Sequence, residues 1–463
     1  MSPRSRHTQD LSTPSELLGG SWSHAAFSDK IAARAMGYPV SKPGLAAFLF
    51  TFVGMLIFLG AVAWLVFKGV GIWGINVPVV WGFAITNYVW WIGIGMAGTF
   101  ISAALLVTRQ RWRGAVSRAA ESMTVFAVAI AGIFPILHLG RPWFFYWLAP
   151  YPNVMNVWPQ WRSPLVWDFF AIGTYVLVSL MFWYVGLIPD FATLRDRAGT
   201  MPGRRARQVV YGLLALGWRG EARHWARYET ASLMLAGLGT PLVVSVHTMV
   251  AMDFAIGNTP GYHSTIFPPF FVAGAFFSGF AMMLTLVIPL RRFLGLQDFI
   301  TGRHLANAAK ILLANSWLLA YGYCAEIFTS FYSGDQFERY MTLNRMIGPY
   351  APVYWSLLFC NVVVPQLLWR RGIRHDVRWL FAISLIVNVG MWMERFIIVV
   401  SSVHRDFLPS SWGMFYPTAW DWIFLLSSVA LFAWLFLLFV HFLPVIAMAD
   451  MRKLIQERAE EPA

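Results

Sequence analysis

Apolar runs long enough to cross a bilayer, parted by short polar stretches, dominate this chain. Ten can be drawn, at about residues 45–67, 77–107, 122–137, 165–188, 230–254, 266–290, 310–330, 351–369, 377–401 and 420–446. At a rise of about 1.5 Å per helical residue, each reaches across roughly 30 Å of hydrocarbon, the third only just. Gly and Pro interrupt the runs at 77–107 and 230–254 and blur their ends. The pattern predicts an all-α integral membrane protein of about ten transmembrane helices.

A short internal echo indicates how those helices group. Ser163-Pro164-Leu165-Val166-Trp167-Asp168, opening the fourth run, is similar to Ala351-Pro352-Val353-Tyr354-Trp355-Ser356, opening the eighth. An old duplication would give two four-helix bundles, spans two to five (about 77–254) and six to nine (about 266–401), with spans one and ten peripheral. Residues 1–44 and 447–463 are then tails, and 45–446 is one transmembrane domain. Only the first copy keeps an acid, so the chemistry is assigned to the first bundle.

Charge adds sidedness. The 463 residues are 58% hydrophobic and 12% charged, too apolar for a soluble protein of this length. The net charge of +13 would suit a nucleic-acid binder, but the cations are unevenly placed. With the N-terminus inside, 26 Lys and Arg fall in the inner segments, eight of them in 189–229, against six in the outer loops. That asymmetry is the positive-inside pattern with both termini cytoplasmic, and it removes the nucleic-acid reading. Residues 1–40 lack an apolar core behind their basic start, unlike a cleavable signal peptide. Trp22–Met36 is expected either to form a short surface helix or to dock on a partner.

The two cysteines, Cys324 and Cys360, lie in separate runs, with no CxxC, CxxCH or Cys quartet. No iron–sulfur cluster, covalently attached haem or other metal site is therefore expected within this chain. P-loop, GxGxxG, HExxH and GxSxG elements are also absent from any usable context.

Ionisable residues inside a membrane protein are costly unless paired, hydrated or used. By span parity, His138 ends the third span at the outer side, Asp168 lies about one turn inside the start of the fourth, and Asp253 ends the fifth at the same level. Each has a structural alternative. His138 could cap a helix end, Asp168 could favour the helix dipole behind Ser-Pro, and Asp253 could terminate a helix. Their coincidence at one depth points to proton-coupled chemistry. Aromatics around them, Trp143 to Trp147 and Trp167 to Phe170, suit either a flat aromatic ligand or an interfacial belt.

His247 lies about 9 Å deeper than Asp253 along the same helix. With His138 it could ligate a haem, although a hydrogen bond across the bundle explains it equally simply. Glu326, Glu394 and Arg395 are read as deeper groups, serving either ion pairing or a proton path with His247. Neighbours on a helix do not face each other, so Glu394 and Arg395 are expected to have different partners. Asp421 starts the tenth span. Asn87, with Gly93, Gly95 and Gly98, reads as a polar anchor beside close helix packing.

Four segments carry a family resemblance: Asn87-Tyr-Val-Trp-Trp-Ile-Gly-Ile-Gly-Met-Ala-Gly98, His138-Leu-Gly-Arg-Pro142, Ser163-Pro-Leu-Val-Trp-Asp168 and Val246-His-Thr-Met-Val-Ala-Met-Asp253. They resemble the NrfD (polysulfide-reductase C) membrane proteins over roughly residues 40–450. The run Gly261-Tyr-His-Ser-Thr-Ile-Phe-Pro-Pro-Phe-Phe-Val-Ala-Gly-Ala275 is similar, within that family, to the NrfD-like membrane components of bacterial alternative complex III of the ActC type.

The resemblance implies a quinol-oxidising subunit of the bacterial cell membrane that holds no redox centre itself. Menaquinol or ubiquinol would be oxidised near the outer face, with His138, Asp168 and Asp253 as the catalytic trio and Arg141 and Trp167 also binding quinol. Electrons would pass to an iron–sulfur subunit, then through haem c subunits to cytochrome c or a terminal oxidase. A paralogous NrfD-like subunit is a further expected partner. Three alternatives stand beside this: another quinone-linked reductase complex, a proton-translocating bundle, and a haem b protein using His138 and His247.

Overall fold

The structure, a computed structural model, describes residues 13–37, 41–149 and 160–461. Parts of the expected tails and the middle of the 138–164 loop lie outside these residues. The described residues form helices and connecting turns, without a strand. Ten helices are long and apolar enough to cross a membrane, one for each apolar run.

Two short helices, α1 (Pro14–Leu17) and α2 (His24–Ala35), precede the first span. That span, α3 (Lys42–Lys68), starts where the Ser41 hydroxyl accepts the Gly44 N–H and stops at Gly69, whose φ of 83° needs a residue without Cβ. α4 (Gly82–Val107), α5 (Arg113–His138) and α6 (Pro164–Gly199) follow. Pro164 sits in the first turn of α6, where a missing N–H costs nothing. α7 (Arg205–Leu214) links it to α8 (Ala222–Ala255), and α9 (Phe267–Phe293) and α10 (Gly302–Tyr332) come next. A short α11 (Gln336–Ile347) is capped by Asp335.

The eighth span opens as α12 (Ala351–Leu358) and loosens into a π turn (Phe359–Val363) and a 3-10 stretch (Val364–Trp369) around Pro365. After α13 (Arg371–His375), α14 (Val377–Phe396) also ends in a π turn (Ile397–Ser401). α15 (Ala419–Phe442) and α16 (Met448–Ala459) are the last helices among the described residues.

α4 is the axis of the assembly, packing on α5 and α8 on one side and on α9 and α14 on the other. α6 joins α5 and α8 in the first bundle, while in the second α10 and α14 pack on α9 and α12 packs on α14. α3 and α15 pair outside both. Burial follows this order: 83% of the apolar window of α4 is enclosed, against 22% of that of α3. The glycine stripe lets α4 approach its neighbours closely, as expected. A Cβ on Gly98 would fall 2.0 Å from the Ala120 carbonyl oxygen, and one on Gly95 2.5 Å from Val128.

α5 and α6 are longer than expected, because charged residues that ended the apolar runs are paired inside the helices, while α8 and α10 each start eight residues before the expected span. Arg118 reaches Glu121 and Asp190 at 2.9 Å each and the Gly186 carbonyl at 2.8 Å, with all three ionisable side chains buried. Glu121 also accepts the Ser102 hydroxyl at 2.5 Å. The expected loop 189–229 is thus largely helix.

Both ends of the chain close over this network. Arg113 pairs with Asp450, Met448 N–H donates to Asp190 at 3.3 Å, and Arg452 donates to Ser28 at 2.8 Å. α2 is a helix, but it docks on this chain's own α6, α15 and α16, burying Phe27, Ile31 and Ala35. Asp190→Ala leaves half of the Arg118 guanidinium buried without a counter-charge. The expected loss is about 3–5 kcal/mol, read as a lowered midpoint of thermal unfolding; an unchanged midpoint would make the network dispensable.

Candidate functional site

Antiparallel α6 and α8 bring Asp168, near the start of one, beside Asp253, near the end of the other. The two carboxyl groups lie within hydrogen-bonding range of each other. Such a bond requires one of them to carry a proton, since a carboxylate offers no donor. α4 contributes a third group: the Tyr88 hydroxyl donates to Asp168 Oδ2 at 3.4 Å and also feels the charge of Asp253. Apart from the bond the two acids share, neither Asp168 Oδ1 nor Asp253 Oδ1 receives a hydrogen bond, although both atoms are buried.

His138 does not join this cluster through a hydrogen bond. It is the last residue of α5, and its ring stacks on Trp73 with centroids 6.3 Å apart and planes at 15°. Its buried Nδ1 has no hydrogen-bond partner. Of the expected trio, the structure therefore joins the two acids and sets the histidine against an indole. Arg141 is exposed, and the Trp167 indole donates to the Trp161 carbonyl at 2.6 Å. Tyr88 escaped the sequence reading because a tyrosine in an aromatic helix carries no polarity signal. Its place beside Asn87 was the available clue.

The deeper groups divide differently from expectation. Glu394 and Arg395 were expected to have different partners, yet they pair with each other at 3.3 Å. Both side chains are long enough to curl back over the same helical turn. Glu394 also accepts the Tyr323 hydroxyl, and the Arg395 guanidinium lies 4.1 Å from the centre of the Phe271 ring. His247 holds its Nδ1 2.9 Å from the Met96 sulfur, lies beside Phe271, and is near enough to Arg395 to feel its charge.

Glu326 is not a deep group. It pairs at 2.6 Å with Arg345 of α11, which also donates to Ser401, Ser402 and the Gly261 carbonyl. Nearby, His404 donates from Nδ1 to the Ser401 carbonyl at 2.7 Å, and burial pushes its pKa down to about 4, so it is neutral at pH 7. Burial also raises the Glu338 carboxyl, which accepts the Gly261 N–H. Arg345 was missed because a cation in a polar loop looks solvated. Asp421 caps α15 and accepts the Gly74 N–H at 2.9 Å, a structural role.

Tyr88, His138, Asp168 and Asp253 all fall within one homologous segment. Residues 73–405 match the family model described as polysulphide reductase, NrfD. The chain belongs to the NrfD family. It is a multi-pass membrane protein of that family, by its ten apolar helices as well as by the match. Among NrfD-related proteins, it is 25% identical over 363 residues to one from Halobacterium salinarum whose name makes it a membrane subunit of dimethyl sulfoxide reductase. That alignment covers 75% of this chain and 77% of the relative. It is 20% identical over 424 residues to the Hdr-like menaquinol oxidoreductase integral membrane subunit of Archaeoglobus fulgidus, covering 87% and 93% of the two chains.

The Glu394–Arg395 pair gives a stability test within this NrfD chain. Arg395→Leu leaves Glu394 buried beside Tyr323 alone and is expected to cost about 3–5 kcal/mol. The double change Glu394→Leu with Arg395→Leu should recover most of that loss, since an apolar pair replaces a desolvated one. Thermal unfolding of the three proteins decides it; equal losses in single and double variants would mean that the pair is not the source.

Proposed function

We propose that this chain is the quinol-binding and quinol-oxidising membrane subunit of a respiratory electron-transfer complex, with its reaction site at Tyr88, Asp168 and Asp253. The observation that carries the reading is this cluster of buried acids with oxygens lacking donors, at the end of the first bundle remote from the Arg-rich face. A quinol hydroxyl is a donor of the kind those oxygens lack.

Quinol oxidation releases two protons and two electrons. The Asp168–Asp253 pair, holding one proton between two carboxyl groups, accepts one more from the first hydroxyl. Tyr88 holds Asp168 in place and keeps its other oxygen free. His138 Nδ1, fixed over Trp73, accepts the second proton. Both protons then leave on the outer side, away from the cytoplasmic termini. With two separated cysteines the chain has no thiolate set for a cluster, so the electrons pass to redox centres on partner subunits: an iron–sulfur subunit, then haem c.

The motif resemblance supports an alternative complex III type of assembly, with a second NrfD-like subunit and cytochrome c or an oxidase as the sink. The names of the two relatives support a quinone-linked complex of another kind, with menaquinol the substrate in one of them. The partners' redox centres separate the two assemblies; the quinol chemistry is common to both.

In the purified native complex, Asp168→Asn is expected to lower quinol-dependent turnover at least 100-fold with subunits and partner spectra intact. Tyr88→Phe, which removes only the hydroxyl, should lower it about 5- to 50-fold, within the span of general acid–base effects. Near-normal turnover in Asp168→Asn would make the cluster structural.

The link between His247 and the Glu394–Arg395 pair, which bridges the bundles, favours a second reading in which protons also move between them. Proton uptake from the cytoplasmic side of vesicles during turnover, lost in Glu394→Gln, would support it. Unchanged uptake in that variant would exclude the pair from any path.

A further inference from the structure

At the Arg-rich end, the first bundle carries a recess of about 320 Å³ that the proposed chemistry does not use. Its apolar wall consists of Val185 and Ile188 from α6, Ala231 from α8 and Leu216 from the turn between α7 and α8. Its polar lining consists of His224, Arg227 and Tyr228 on α8 with Trp218. No carboxylate lines it.

Two of its polar groups, Arg227 and His224, are free to receive an anion. Arg227 is exposed and makes no hydrogen bond or ion pair with any described residue. The Arg219 N–H donates to His224 Nδ1 at 3.2 Å, so Nδ1 is an acceptor and Nε2 carries the proton as a donor. Trp218 stands 5.4 Å from the His224 ring and 5.1 Å from Trp225, an aromatic cluster of the kind found at the headgroup level.

The apolar wall continues into the bilayer as two stripes. On α6, Ile188 and Val185 lead to Met181 and Leu177, 47% and 60% exposed. On α8, Ala231 leads to Met234 and Leu238, 70% and 54% exposed. Steps of three and four residues keep each stripe on one helix face, and α6 packs against α8. Leu216 adds a separate sign. It is a non-glycine residue with φ of 47°, holding an apolar side chain that is 68% exposed at the edge of the recess.

From this arrangement we infer that the recess is a binding site for an anionic phospholipid. The phosphodiester sits between Arg227 and His224, and the acyl chains run down the α6 and α8 stripes. Charge complementarity selects the headgroup, and the continuous apolar track selects a lipid over a soluble anion.

The test uses the intact complex, stripped of lipid in detergent and titrated with phosphatidylglycerol, phosphatidylcholine or inorganic phosphate while thermal stability is followed. Phosphatidylglycerol should raise the wild-type midpoint by several degrees, with phosphatidylcholine and millimolar phosphate giving little. Arg227→Gln with His224→Gln should weaken the response at least fivefold. Ala231→Phe, which fills the recess without changing charge, should do the same and decides the matter if the double variant fails to assemble. Arg223→Gln, one turn away and outside the recess, should respond like wild type. Equal responses to the two lipids, a full response to phosphate alone, or an undiminished response in Ala231→Phe would overturn the inference.

Discussion

No hydrophobic gain drives one helix against another in a bilayer, because lipid tails are as apolar as leucine. Helices stay together there by close van der Waals packing and by satisfying each other's polar groups. α4 answers both demands at once. Gly95 and Gly98 let it press against α5, and Ala97 meets Gly279 of α9 so closely that a Cβ there would lie 1.9 Å away. Its polar side chains radiate to different neighbours: Asn87 accepts from Trp392 at 2.8 Å, Trp91 donates to Ser428 at 3.0 Å, and Thr99 donates to Ser179 at 3.0 Å. Tyr88 is one more of these spokes. The position of the acid pair relative to the second bundle is therefore set by α4.

The two bundles differ most where the internal echo would make them alike. Asp168 is buried at the start of α6, whereas its counterpart Ser356 is exposed on α12. The same end of the second bundle is closed by α11, whose Arg345 is buried among Glu326, Ser401 and Ser402. A cation held by one carboxylate and several neutral oxygens is a locked arrangement. On the proposed reading, the facing carboxyl groups of Asp168 and Asp253 are free to exchange a proton instead.

The ten spans were legible because about twenty apolar residues in a row have no other stable fate, and both acids were legible because their depth follows from span parity. The span ends at Arg113 and Gly199 were not, since hydropathy counts Arg118, Glu121 and Asp190 as polar whether or not they neutralise one another. Pairing is a property of two segments together. The same reason hid the Glu326–Arg345 contact, where a loop cation reaches a helix acid 19 positions away. The π turns at Phe359–Val363 and Ile397–Ser401 left no mark either, because they change the direction of side chains and not their polarity.

The interlocking of the chain's two ends has a consequence for the order of assembly. Arg113 and Asp450 are separated by 337 positions, and Asp190 waits for the Met448 N–H across 258. At about 5–20 residues per second on the ribosome, Arg113 stands without Asp450 for roughly 20–70 s after it is made. During that interval Ser102, through its carbonyl at 3.2 Å and its hydroxyl at 3.5 Å, and Glu121, at 3.7 Å, are at hand to hold it. The first bundle can insert early, but its Arg-rich end stays unlatched until α16 arrives. A nascent chain stalled before α16 would then be the species most open to a membrane protease.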